Sequence, residues 1–495
     1  AQLIQVDDGF HLWSETFDRE LTNVFAIQDE ISRAILDALK AELLDEELPA
    51  LAATTTDTEA YEKFLLAKQR IYDRNEASLE AAAGLLDRVI EIDPEYAPAY
   101  AQRAIIYLLL VEDQYGDIPR EIANPAAKEL AEKALLLDPD LAEAWAATGL
   151  YWNGQPSGHN QAIEHLEKAL AINPNLIDAR NWLQIAYGNA GQVSKSLPII
   201  EDMLERDPLY RPAIGNAVNL YTETGQQEKA LALLEQVRPY IPDDAHLLNY
   251  ESIILQSLGR YSEAIPLSEE AIRRQPADGL FRNNYGFALW SLQDYEKLAG
   301  AEFSEFQRAV ALDMLDRREE ATIIVNELAA KGFPGPMLFM MTRNRQFEAM
   351  VQYVGERWPT PAEYEESFPH GSFGYGDMIH LALAFSRTGN DSFYRDALER
   401  VRAAHDGLIS NGIDSSLFSF MEARYFAVGG DYDSAIEQLG IAVDKGFTSL
   451  ASRIASKNPS FEPLEGDPRF EEIQARMVEN LNRQRAELGL EPSDV

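Results

Sequence analysis

Five asparagines, Asn181, Asn189, Asn219, Asn249 and Asn283, recur with a spacing that could serve recognition. Asn249 stands two steps of 34 residues beyond Asn181, and Asn283 one step beyond Asn249. A side-chain amide carries donors and an acceptor together. Copies in phase along one face can therefore hold the backbone of an extended peptide without reading its side chains. The competing reading is that these amides only solvate exposed helix faces.

Catalysis finds no comparable anchor. His159 and His165 are six residues apart, whereas a helical metal pair needs i and i+4. Gly371 to Gly376, Gly-Ser-Phe-Gly-Tyr-Gly, precedes an expected helix, and such turns can cradle phosphate. With no strand before it and no Lys-Ser or Lys-Thr after it, neither nucleotide motif is matched, and a flexible connection is expected. There is no Gly-x-Ser-x-Gly or His-Glu-x-x-His sequence. Carboxylates are too abundant for a catalytic pair to stand out. Trp145, Trp152, Trp182, Tyr187, Tyr221 and Trp290 fall mostly at packing positions and read as core rather than as a ligand box. The sequence thus calls for no catalytic residue, no metal and no cofactor; the expected activity is binding, not enzymatic turnover.

Charge narrows the partner. The 43 Lys and Arg against 82 Asp and Glu give a net charge of −39, which repels phosphate backbones and anionic lipid surfaces. The expected partner is a neutral or basic protein or extended peptide, with no nucleic acid and no direct membrane contact; a homo-oligomer is the alternative. The longest apolar run, Ala104 to Val111, has eight residues, against the ~20 of a spanning helix. Cysteine is absent, which excludes disulfides and thiolate chemistry and is slightly more comfortable in an oxidising compartment.

The elements that must position the asparagines form a repeat. Pro174, Pro208, Pro242 and Pro276 are each 34 residues apart, and Gly191, Gly225 and Gly259 keep the same step. Between these marks the apolar spacing is helical in two blocks, such as Trp182 to Tyr187 and Leu197 to Leu204. Each unit is predicted as helix, turn, helix, turn. Glycine ends the first helix where a left-handed residue is needed, and proline follows the second where no donor is needed.

Paired helices at this period resemble the tetratricopeptide repeat (TPR) family, with a large residue at unit position 4, small ones at 8, 20 and 27, and proline at 32. Trp145, Gly149, Ala162, Ala169 and Pro174 fill those places. The resemblance implies an all-α, right-handed superhelical solenoid in which first-helix positions 2, 5, 9, 12 and 13 line a concave surface. Asn181, Asn249 and Asn283 stand at position 5, Asn219 at 9 and Asn189 at 13. The carboxylate clamp of chaperone-binding TPRs would need several Lys or Arg there, and apart from Arg180 and Arg282 they are sparse.

At the start, Asp7-Asp8-Gly9 between Leu3–Val6 and Phe10–Ser14 predicts a β-hairpin, and Val24 to Leu44 an amphipathic helix. The run AQLIQVDDGFHLWSETFDRELTNVFAIQDEISRAI resembles the close of the TolB-like domain that precedes TPR arrays in bacterial signalling proteins. That resemblance implies the sensory or interaction region of such a protein, fused to an adenylate cyclase or a winged-helix regulator, on the periplasmic side of an inner membrane, or else in the cytoplasm. The expected organisation is a hairpin over 1–20, helix and linker over 21–56, and a TPR array over 57–331. An irregular connection or degenerate repeat follows over 332–376, then TPR-like helices with a terminal cap over 377–495. The cap, EPLEGDPRFEEIQARM, resembles the closing helix of such arrays, and Leu481 to Val495 is expected to fray.

Overall fold

The computed structural model describes residues 2–4, 11–14, 57–112, 115–116, 118–155, 158–276, 278–300, 303–367, 372–447 and 458–493, with only the backbone of 2–4, 11–14 and 372–374. The chain divides into two compact units, 1–148 and 149–495. Strand structure among the described residues is one hairpin, β1 (Gln2–Ile4) paired antiparallel with β2 (His11–Ser14), Leu3 opposite Trp13. The predicted strands overlap this pair. The helix expected over Val24–Leu44, the 21–56 segment and most of the TolB-like run lie outside the described residues.

The other described elements are helices, most of them in the antiparallel pairs that the repeat period predicts. The first unit holds α1 (Thr58–Tyr72), α2 (Glu76–Ile92), α3 (Ala97–Leu109) and α4 (Arg120–Leu137), while α5 (Ala142–Asn153) runs on into the second. Asp57 and Asn75 start α1 and α2 by accepting backbone N–H bonds from Ala60 and Ser78 at 2.9 and 3.1 Å. The helix contacts are lined by Ala60, Ala67, Ala82, Ala101, Ala131 and Ala134, all buried. Side chains this small let helix axes approach closely.

In the second unit the pairs continue as α6 (His159–Ile172), α7 (Ile177–Asn189), α8 (Val193–Arg206), α9 (Arg211–Glu223), α10 (Gln227–Val237), α11 (Ala245–Ser257), α12 (Tyr261–Arg274) and α13 (Gly279–Leu292). Gly149, at unit position 8, has no room for a Cβ, which would strike Leu166. The repeated turns have a chemical cause. Asp93, Asp138, Asn173 and Asp207 each precede proline and accept the backbone N–H two residues on, at 3.0–3.2 Å. A large residue at position 4 donates back to the carbonyl of the proline six residues before it in four units: Tyr100 to Pro94 at 3.0 Å, Trp145 to Pro139 at 2.8 Å, Arg180 to Pro174 at 2.9 Å, and Arg282 to Pro276. Gly191, Gly225 and Gly259 all take φ near 70° and end their helices, with Gln293 at φ 57° in the fourth turn. The residue after each closes the helix end with a bond back to Tyr187, Tyr221, Leu255 or Leu289.

After α13 come a short α14 (Tyr295–Leu298), α15 (Glu305–Met314) and α16 (Arg318–Ala330). Where the sequence predicts an irregular connection or degenerate repeat, the described residues form three short helices, α17 (Gly335–Arg343), α18 (Phe347–Gly355) and α19 (Pro361–Ser367), and the start of α20 (Ser372–Arg387). Then follow α21 (Asp391–Ser410), α22 (Ser416–Gly429), α23 (Tyr432–Asp444), a 3-10 turn at Pro459–Leu464 and α24 (Pro468–Glu487).

These last helices return to the row of turns that the repeat glycines create. Ser194 bonds Asn411, the Asp414 N–H donates to the Glu223 carbonyl at 2.8 Å, and Gly446 lies against Leu258 and Gly259. Gln484 donates to the Gly259 carbonyl at 2.8 Å, and Arg485 to those of Leu292 and Gln293 at 2.5 and 3.1 Å. Helix C-termini leave carbonyls without intrahelical partners, and α24 supplies the missing donors. The frayed end expected from Leu481 onward is therefore corrected: Leu481 is fully buried, and Ser493 still bonds Gln293 at 2.6 Å.

Candidate functional site

The predicted asparagines divide by direction. Asn181 on α7 is buried and accepts from Asn216 on α9 at 2.8 Å; Asn249 on α11 is fully buried and accepts from Asn284 on α13 at 3.1 Å. The side chains of Asn181 and Asn249 thus turn to the neighbouring first helix and not to the open face, a correction to the expected orientation of these two. Asn189 is half-buried and donates to Asn153 at 3.2 Å. Asn219 is exposed, and Asn283 is half-buried with its backbone carbonyl taking a bond from Gln307 at 2.8 Å. The half-exposed amides left at the surface of the two pairs are Asn216 and Asn284, one position further along the helix, which the spacing argument missed.

Beyond Asn283 the same first-helix face becomes aromatic. Phe287, 37% exposed, stacks near Trp290 at 6.3 Å; Trp290 meets Phe306 of α15 edge-on at 5.6 Å and Phe339 of α17 at 5.9 Å. Phe339 in turn meets the His380 ring of α20 edge-on at 6.0 Å. Trp290 is buried, as its reading as core requires, but it belongs to a continuous row that starts at the surface.

The row ends on buried polar groups. Arg424 of α22, 5% exposed, donates to His380 Nδ1 at 3.2 Å and approaches the Met421 sulfur at 3.6 Å. Its Nε and the hydroxyl of Tyr375, 4% exposed, have no hydrogen-bond partner. Burial pulls the Arg424 pKa down to about 10, and burial together with the Arg424 charge drives His380 well below its ordinary value, so its imidazole is neutral. Burial pushes the Tyr375 phenol up, and pushes Asp377 up to about 6 although the Tyr364 hydroxyl donates to it at 2.9 Å. On the far side of α22, Glu422 accepts from His405 at 2.8 Å. Tyr375 sits in the glycine-rich stretch expected to be a flexible connection; from Ser372 onward it is the first turn of α20.

No protein-family model matches the chain. Over 140 residues it is 38% identical to "Putative adenylate cyclase 3" of Rhizobium meliloti, covering 28% of this chain and 24% of that protein. Over 186 residues it is 24% identical to the human PEX5-related protein, covering 35% and 29%. The chain thus spans between about a quarter and a third of the length of these curated relatives. Among solved structures, a tetratricopeptide repeat protein from Parabacteroides merdae is similar at 18% identity, TM-score 0.35, over 54% of this chain and 97% of that one. Human IFIT1, solved as a dimer with PPP-AAAA, is similar at 15% identity, TM-score 0.36, over 85% and 88%.

Proposed function

We propose that this chain is a non-catalytic scaffold whose first-helix face holds an extended segment of a partner protein. The observation that carries the reading is the row of amides that the repeat brings to one face, Asn216, Asn219, Asn283 and Asn284, leading into the aromatic row from Phe287. The amides can bond a peptide backbone and the rings can take apolar side chains. The net charge of −39 favours a neutral or basic partner with salt-sensitive association and disfavours nucleic acid. Affinity capture at low and high ionic strength tests this: a basic partner lost at high salt supports it, and an acidic, salt-insensitive partner overturns it.

A second reading is favoured by the cyclase relative. In it the chain is the regulatory portion of a bacterial signalling protein, a nucleotide cyclase or a membrane-bound transcription regulator, and acts from the periplasm or, failing that, the cytoplasm. The 38% identity over 140 residues supports that context. Sequencing the coding region that surrounds these residues in its genome tests it, since a cyclase or winged-helix domain in the same frame is required. Self-association through the repeat array is a third arrangement, which light scattering across concentrations decides.

A further inference from the structure

The charge of this chain is almost missing from the face that the repeat offers. Of its 82 Asp and Glu, the first helices α5, α7, α9, α11 and α13 carry four: Glu143, Asp178, Glu223 and Glu251. Asp178 accepts from the Tyr210 hydroxyl at 2.6 Å, and Glu251 pairs with Arg238 at 2.6 Å. Glu143 stands in the first turn of α5, a helix with none of the four surface amides. Glu223 is different. It follows Asn216 and Asn219 on α9 at the i, i+3, i+7 spacing of one helix face, about 6 Å along the axis from Asn219. Its side chain is exposed, and among the described residues its carboxylate has no ion pair and no hydrogen bond. Burial nonetheless raises its pKa, with no neighbouring cation to offset the rise. The carboxylate thus stands in a recess, open to water but closely flanked by protein. Beside it lies the loop after α21, which the Asp414 N–H pins to the Glu223 carbonyl at 2.8 Å. The Asp414 carboxylate is itself taken by Lys445.

We propose that Glu223 receives a lysine or arginine side chain of the extended segment whose backbone Asn216 and Asn219 hold. This rests on the first-helix face being the binding face, and it names the residue of the partner that the face selects. Net charge attracts any cation and is screened by salt beyond about 10 Å. A single carboxylate on a row of amides instead fixes where along the segment the basic residue must fall. Asn189, Ser257 and Ser291, at the corresponding place in α7, α11 and α13, carry no charge, so the face offers one cation site and not a basic-stripe reader. The recess strengthens that site, because an ion pair flanked by protein is less screened than one on an open surface.

The probe is a pool of immobilised nonapeptides randomised at every position, presented to the full parent chain, to Glu223→Gln and to Glu223→Lys, with the bound peptides sequenced. The parent is expected to enrich Lys or Arg at one position. Glu223→Gln should capture peptides without that enrichment, and Glu223→Lys should enrich Asp or Glu at that position instead. A peptide selected by the parent is then titrated with its basic residue intact or replaced by norleucine. The parent should lose at least about tenfold in affinity, the strength of one hydrogen bond to a charged group, and Glu223→Gln should bind both peptides equally. Because the side chain is exposed and unbonded, Glu223→Gln should keep the parental Tm; a Tm lowered by several degrees marks a structural carboxylate and overturns the assignment. Captured peptides with no basic preference, or a preference that Glu223→Gln retains, overturn it too and leave the scaffold reading standing. A parent chain that captures no peptide at all sinks the scaffold reading, and this inference with it.

Discussion

Gly259 and Gly446, 187 positions apart in sequence, meet backbone to backbone, and a Cβ on either would collide with the main chain of the other segment. Both also take positive φ, 68° and 90°. The glycine that ends α11 for the repeat's own reasons is therefore also the landing point for the segment after α23. Packing of the last helices on the row of turns depends on the absence of a side chain at this point.

Gly446→Ala is expected to lower stability by about 2–4 kcal/mol, combining left-handed strain of about 1 kcal/mol with overpacking against a rigid backbone. Gly389→Ala is the control, because Gly389 has φ 72° and open space around it. It should lose only the strain, about 1 kcal/mol. Urea unfolding of both variants checks this, and equal losses would mean that the contact with Gly259 contributes nothing.

Removing the capping donors should loosen the same seam without a clash. Arg485→Ala deprives the Leu292 and Gln293 carbonyls of their partner and Gln484→Ala deprives that of Gly259. Each is expected to cost about 1–3 kcal/mol, since buried acceptors are left unpaired. Hydrogen exchange should rise at Ser262, whose N–H donates to Gln484 at 3.1 Å, and at Asp414, whose N–H donates to Glu223. Unchanged protection at Ser262 in Gln484→Ala would refute the coupling.

The repeat was legible because its punctuation is local. Asp or Asn before proline, a large donor six residues after it and glycine at φ near 70° act within a few residues, so unit after unit writes parts of the same signature. The seam between Ser194 and Asn411 was not, since no periodicity ties residues so far apart. Asn181 and Asn249 show a subtler limit: one position of helical phase separates a buried amide from its surface partner, and spacing alone fixes the phase of a face only to about that precision. Arg424 carries no pattern at all; its bond to His380 exists only once α20 and α22 are side by side. Leu481 looked terminal because sequence position says nothing about what a helix end packs on.

His246 gives the protein a titration in the alkaline range. Its Nδ1 lies 3.0 Å from Asp244 and its Nε2 3.5 Å from Asp278, with Arg211 also 3.0 Å from Asp244. Burial pulls the imidazole pKa down, but the two carboxylates outweigh it and raise it to about 9. A folded pKa above the unfolded value of about 6.5 contributes stability in full below pH about 6.5, and that contribution is lost as pH rises through 9. The loss is on the order of 2–3 kcal/mol. His246→Gln should flatten the stability profile between pH 6.5 and 9, and a slope identical to the parent's would refute the assignment.

The two kinds of asparagine should separate stability from binding. Asn249→Ala removes a buried acceptor and strands the Asn284 amide, so it is expected to cost about 1–3 kcal/mol. Asn283 and Asn219 have side chains that none of the described hydrogen bonds uses; Asn283→Ala with Asn219→Ala should leave urea stability within about 0.5 kcal/mol and helicity unchanged. If the face grips a peptide backbone, that double variant still weakens partner capture, by about thirtyfold for two lost amide contacts of ~1 kcal/mol each. A double variant with undiminished affinity and parental stability would mean that these amides only meet water. Asn216→Ala sits between the two cases, since its amide both bonds Asn181 and stands at the surface. It should lose stability and affinity together, and affinity loss without any stability loss would show that the Asn181 pairing is not what holds α7 against α9.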